Sequence, residues 1–153
     1  MKQRVVIPDV KCSVIEFEQE GLPGVAFVNI ALRNFAPREV FAWHLSVMVE
    51  FQDIIENGMP SKKEREVVDE FEHQLDLLLK GSEPEKPNVL FLARITWNET
   101  RELIWRVYDP EIANQILQNV IDQNEAPRPF DYRIDDDKKW ELAEWSLKEY
   151  NKP

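Results

Sequence analysis

Cysteine is nearly absent from this chain: Cys12 is the one thiol in 153 residues, so no disulfide can close within it and a reducing compartment is expected. Glycine is scarce as well, and four glycines are too few to assemble a phosphate-cradling loop. The two histidines, His44 and His73, lie far from each other and from Cys12, and match no zinc spacing. The longest apolar runs, such as residues 89–93, are strand-sized and fall well short of the ~20 residues a membrane helix needs. Lys2 and Arg4 precede residues 5–10, but Pro8 and Asp9 interrupt that stretch. No signal-peptide apolar region is therefore expected, and the expected location is cytoplasmic. No internal repeat or low-complexity tract is found.

What the chain does contain is charge of one sign and a good supply of core residues. Its 29 acidic against 19 basic side chains give a formal net charge of −10. Such a charge repels polyanions, so nucleic acid is not an expected partner, whereas a protein partner with a basic surface is compatible with it. Acidity is also the ordinary signature of a soluble cytosolic protein. Hydrophobic content of 43%, with five Trp and eight Phe, excludes a disordered chain despite 31% charged residues. The length fits a single domain over residues 1–153, able to bury roughly two-thirds of its unfolded surface.

Alternation marks the strands. In residues 13–18, Ile15 and Phe17 face away from Glu16 and Glu18, and Gly21-Leu22-Pro23-Gly24 then forces a turn. Residues 25–33 and 43–51 alternate again, the latter placing Trp43, Leu45, Val47, Val49 and Phe51 on one side. The period then changes to that of a helix. Ser61 and Glu64 form a capping box, Val67, Val68, Phe71, Leu75, Leu78 and Leu79 give an apolar stripe, and Gly81 provides a left-handed stop, which predicts a helix over residues 61–80.

Residues 89–97 and 101–108 read as a hairpin. A three-residue closure, Asn98-Glu99-Thr100, pairs Ile95 with Leu103, Ala93 with Trp105 and Phe91 with Val107, whereas a two-residue loop would set Ile95 opposite Glu102 at a cost in burial. Asp109-Pro110 opens a helix over residues 110–123, residues 130–135 alternate as a last strand, and a third helix is expected over about residues 137–150.

The order over residues 43–135 is β-α-β-β-α-β, which predicts an α+β fold with a ferredoxin-like core, an antiparallel sheet carrying its helices on one face. Residues 1–42 add strands to it, and residues 137–150 a C-terminal helix. One conflict arises in this scheme: if residues 25–33 pair with residues 43–51, they compete for the edge that the last strand normally takes.

Val28-Asn29-Ile30-Ala31-Leu32-Arg33, then Ala36-Pro37, then Gly58-Met59-Pro60-Ser61 ahead of the capped helix, and Trp140 resemble the bacterial domain-of-unknown-function family 695, over roughly residues 25–147. These are turn and core residues, so the resemblance implies fold more than function. That family looks related to the B-type regulators of ribonuclease E activity, acidic ferredoxin-like proteins that act by binding a ribonuclease. The resemblance thus implies a regulatory role and carries over no catalytic residue.

With the helices over the Leu45, Val47, Phe91 and Trp105 face, the other sheet face is expected to gather His44, Ser46 and Glu50 with Arg94, Thr96, Glu102, Arg106 and Tyr108. Such a face reads as a binding surface or, using His44 and Glu50, a weak acid-base site. The plainer alternative is the half-solvated side of an antiparallel sheet, or a surface beneath the third helix. Ser46 shares the side of His44, yet no nucleophile elbow or oxyanion hole is signalled.

His73, among polar neighbours, reads as an exposed surface histidine. Asp135-Asp136-Asp137 reads as a helix N-cap, since the further ligands and sharp-turn Gly of a calcium loop are missing. Phe91, Trp97 and Trp105 are assigned to the core face, which leaves no aromatic platform for RNA. The expected function is a non-enzymatic regulatory or protein-interaction module with no cofactor or metal. The alternative is a small-molecule-binding protein or weak hydrolase on the same polar face. Nothing in the pattern calls for a homo-oligomer. Where residues 140–147 dock decides whether that face is free.

Overall fold

Where apolar and polar residues alternate, the chain runs as strand. The computed structural model describes residues 5–148. In it β1 (Cys12–Gln19), β2 (Leu22–Asn29), β3 (Trp43–Glu50), β4 (Val89–Trp97), β5 (Thr100–Val107) and β6 (Phe130–Asp136) make an antiparallel six-stranded sheet in the order β1-β2-β4-β5-β3-β6. Where the apolar period becomes helical, α1 (Lys62–Lys80) and α2 (Pro110–Asp122) form, and a four-residue α3 (Glu144–Leu147) follows β6. The fold class is α+β, as expected. No helix among the described residues is long and apolar enough to cross a membrane.

Each sheet face has its own core. Leu45, Val47, Leu103, Trp105 and Val107 pack beneath Val68, Phe71, Leu75 and Leu79 of α1 and Ala113, Leu117 and Val120 of α2. On the second face Ile15, Ala26, Val28, Leu90, Leu92 and Ile104 are covered by Leu32, Phe35, Phe41, Trp140 and Ala143. Burial of side chains this size stabilises by about 1.5–3 kcal/mol each, so both layers contribute to the fold.

Local chemistry sets the helix ends. Ser61 Oγ accepts from the Glu64 amide at 3.1 Å, which is half of the expected capping box. The return bond does not form: Glu64 is 1% exposed, and its carboxylate accepts from the Gln52 amide (2.8 Å) and from Arg128 Nε and Nη2 (2.7 Å each). A buried carboxylate needs a cation more than a second cap bond. Gly81 ends α1 at φ +85°, and Asp109 Oδ1 accepts from the Glu111 amide at 3.0 Å to start α2.

Four expectations about the chain's path are corrected. The first turn is the two-residue Glu20-Gly21, both at positive φ, so Gly24 lies inside β2. Glycine suits that position, because a Cβ would clash with Phe17 Cζ and displace that ring. Secondly, the strand expected over residues 25–33 ends at Asn29. The Asn29 amide oxygen accepts from the Lys11 and Ala31 amides (3.1 and 3.3 Å), its Nδ2 donates to the Phe91 carbonyl (3.0 Å), and residues 30–34 turn into a 3-10 helix.

Thirdly, the β4–β5 hairpin closes over two residues, Asn98 and Glu99, at φ +44° and +66°, and Ile95 does pair with Glu102. The burial cost assigned to that register is avoided by a bulge between Phe91 and Ala93. The extra residue, Leu92, reverses the alternation, so Phe91 faces α1 and α2 opposite Trp105 while Ala93 and Ile95 join the second core. Fourthly, the third helix is two short turns, Glu141–Ala143 and α3, after Trp140 at φ +59°. Residues 149–150 of that expected helix lie outside the described residues. The edge conflict does not arise, because β2 pairs with β4 while β6 pairs with β3.

Candidate interaction face

Period-two alternation sends His44, Ser46, Met48 and Glu50 of β3 to the second face, and the neighbouring strands complete cross-strand rows there. His44 lies between Arg106 and Asp135, Ser46 between Ile104 and Arg133, and Met48 between Glu102 and Asp131. These rows divide the face into a sealed half and an open half.

At the sealed end Arg106 has no solvent exposure, and all its donor groups are used. Nε and Nη2 donate to the Phe41 carbonyl (3.3 and 3.2 Å), and Nη2 donates to the Asp137 carbonyl (2.7 Å). Nη1 donates to Asp137 Oδ2 (2.8 Å) and to His44 Nδ1 (3.1 Å). Arginine can only donate, so His44 Nδ1 is the acceptor and the ring is neutral. Burial, then the Arg106 cation, push His44 down to about 4, against a smaller upward pull from Asp137 and Asp135.

The Trp140 ring closes over the Arg106 guanidinium at 4.5 Å, and its Nε1 donates to the carbonyls of Arg38 (2.9 Å) and Phe41 (3.1 Å). Asp137 also accepts from the amides of Glu141 and Leu142 (3.0 Å each), so one carboxylate neutralises Arg106 and caps the turn that carries Trp140. The expected N-cap role of the Asp135–Asp137 triplet therefore falls to Asp137, with an ion pair added.

The open half begins one row further on. Ser46 Oγ donates to Glu102 Oε2 at 2.6 Å, both partly exposed. Beyond them Met48 is 37% exposed, and Glu50, Asp131 and Arg133 are exposed around it, Arg133 pairing with Asp135 at 3.2 Å.

Six of the eight residues expected on this face can be followed to it or to its rim. His44 and Arg106 are brought together but buried; Ser46, Glu50 and Glu102 lie on the open half; Tyr108 is exposed just past the end of β5, with its ring 6.4 Å from Phe41. Arg94 is the correction. The bulge turns it to the helix side, where its Nε and Nη2 donate to the two Glu72 carboxylate oxygens at 2.6 Å. Thr96 goes the same way, is buried, and accepts from Arg101 Nε at 3.2 Å.

Met48 shared the alternation of His44, Ser46 and Glu50, and Asp131 and Arg133 that of the last strand, but none of the three was joined to the face. Asp137 and Trp140 carried only the signals of a cap and of a helix stripe. His73 is exposed, as expected, and Trp97 leaves the helix-side core, its Nε1 donating to the Gln19 carbonyl at 3.1 Å.

A model of a family of unknown function, DUF695, matches residues 15–144 of the chain. No curated protein matches it. No solved structure matches it either.

Proposed function

The chain belongs to the DUF695 family, whose function is unknown, and we propose from its own geometry that it is a non-enzymatic regulatory module that docks a basic surface of a protein partner on the open half of the second sheet face. One observation carries this reading. On that face His44 is spent on Arg106, Arg106 on Asp137 and Ser46 on Glu102, while an apolar contact, Met48, is left exposed among Glu50, Asp131 and Arg133. In a hydrolytic reading Glu102 would be the base at Ser46, but His44 Nδ1 is committed to Arg106 and does not orient that pair.

The surplus of carboxylates around Met48, with the net charge of −10, supports a basic partner and opposes a nucleic acid. The order β4-β5-β3-β6, joined through α1 and α2, supports the ferredoxin-like reading of the core and the likeness to ribonuclease regulators that act by protein binding. The exposed free thiol of Cys12 supports a reducing, cytoplasmic location. Capture from native lysate by wild-type chain and by an E50K/D131K variant tests the proposal. A partner retained at low salt, released near physiological salt and absent from the variant is the expected result; equal capture by both chains would refute it.

A further inference from the structure

We propose that the helix side of β1 and β2 is the seat of an amphipathic helix of a protein partner, basic along the edge that faces β1. The surface is separate from the second face, so this proposal and the functional one fail independently.

The sheet has six strands, and its helix layer is narrower than the sheet. α1 and α2 pack over residues of β3, β4, β5 and β6. α1 reaches as far as β4, where Glu72 grips Arg94. Beyond Arg94, on the same side, the rows continue through Phe27 to Val14 and, one row on, through Thr96 and Val25 to Glu16. Val25 and Phe27 are half-buried apolar residues that join neither core, and Val14 is 49% exposed. Two strands at ~4.8 Å spacing leave a gap of about 10 Å, one helix diameter.

The gap has a floor, a wall and a charge. Its floor is Val14, Val25 and Phe27, the last with Arg94 5.1 Å from its ring. Its wall is α1. Its outer rim is β1, where Glu16 and Glu18 are exposed and make no ion pair among the described residues. Two residues past Phe27 on the same face, Asn29 lines a cleft of about 470 Å³ that also touches Leu77, Phe91 and Val10, so the apolar floor continues past the end of β2. A strip of apolar floor beside carboxylates that make no ion pair among the described residues fits a helix with one apolar and one basic side. The eight residues of β1 span ~27 Å, the length of about 18 helical residues.

The test uses the full chain and two synthetic helical peptides of about 18 residues, one built from Leu and Lys, the other from Leu and Glu. Amide shifts are followed by two-dimensional NMR. The expected result is saturable binding of the Leu/Lys peptide with shifts confined to β1, β2 and the facing side of α1. Affinity should fall at least about tenfold in V14K, whose half-exposed side chain tolerates the change, fall likewise in E16K/E18K, and be unchanged in E50K/D131K. Absence of binding, equal binding of the Leu/Glu peptide, or shifts centred on Met48 would overturn it. A concentration-dependent dimer in sedimentation, abolished by V14K, would overturn it in favour of a second copy of the chain.

Discussion

Arg106 and Trp140 meet face to face on the second sheet side, the guanidinium 4.5 Å from the indole centroid and neither group more than 1% exposed. The contact joins a central strand to the C-terminal segment, which together with Leu32, Phe35 and Phe41 covers the sealed part of the face. The cation is satisfied in the plane of its fork by Asp137, His44 and two carbonyls, which leaves its flat side for the ring.

Trp140→Ala should therefore cost about 3–5 kcal/mol, since it removes a large buried side chain and uncovers Arg106. Trp140→Phe keeps an aromatic ring over Arg106 but loses the two bonds from Nε1 and part of the buried ring volume, so a smaller loss of about 1–3 kcal/mol is expected. Urea unfolding of both variants checks the ranking; equal losses would mean that the indole N–H, and not the packing, fastens the segment.

Stability should also decline with acid in a window set by His44. The unfolded side chain titrates near ~6.5, and the folded one is pushed down to about 4. The unfolded state takes the proton first as pH falls, so the contribution is full above about 6.5, is lost through the interval and is flat below about 4. The total is on the order of 3 kcal/mol. In His44→Gln the decline from pH ~6.5 to ~5 should vanish, because carboxylates protonate mostly below it in both proteins. An unchanged slope in the variant would show that His44 does not carry it.

Glu64 acts in the same direction, at lower pH. The hydrogen bonds from Arg128 hold its carboxyl below the usual carboxylate range, so the contribution is present above that range and is lost as pH falls through the folded value. Arg128→Ala leaves a buried carboxylate with only backbone partners and should cost about 3–5 kcal/mol in urea unfolding at neutral pH. A loss below about 1 kcal/mol would place Glu64 in contact with water.

The hairpin offers a stabilising change. Glu99 occupies a left-handed position at φ +66° after Asn98, where Asn-Gly is the favoured pair. Glu99→Gly should raise stability by up to about 1 kcal/mol, as read from the thermal midpoint. A destabilised variant would argue for the three-residue closure that face matching alone suggests.

The hairpin also shows where reading a sequence stops. Alternation on both sides of Asn98 located the two strands, and the aromatics Phe91 and Trp105 were correctly assigned to the helix side. The route to that outcome was not visible, because a bulge at Leu92 has no residue signature of its own, and the same bulge moved Arg94 off the expected face. Helix starts at Ser61 and Asp109 were legible because a cap is a local bond between residues two or three apart. The partition of the second face was not, since it depends on Arg106 meeting Asp137 and Trp140 from 31 and 34 positions away in the chain. Buried ion pairs are chosen by the folded geometry, and period-two patterning says only that His44, Ser46 and Glu50 point the same way.

On the proposed function, a basic partner docks on the open half of the second face, around Met48. A photoreactive residue placed at Met48, with a second chain carrying it at the exposed His73 of α1 as reference, tests this most directly in native lysate. The expected result is an adduct from position 48 to a Lys- and Arg-rich segment of one protein, lost when Glu50 and Asp131 are changed to lysine and absent from position 73. Identical adducts from both positions, or an adduct at 48 that survives the charge reversal, would contradict it.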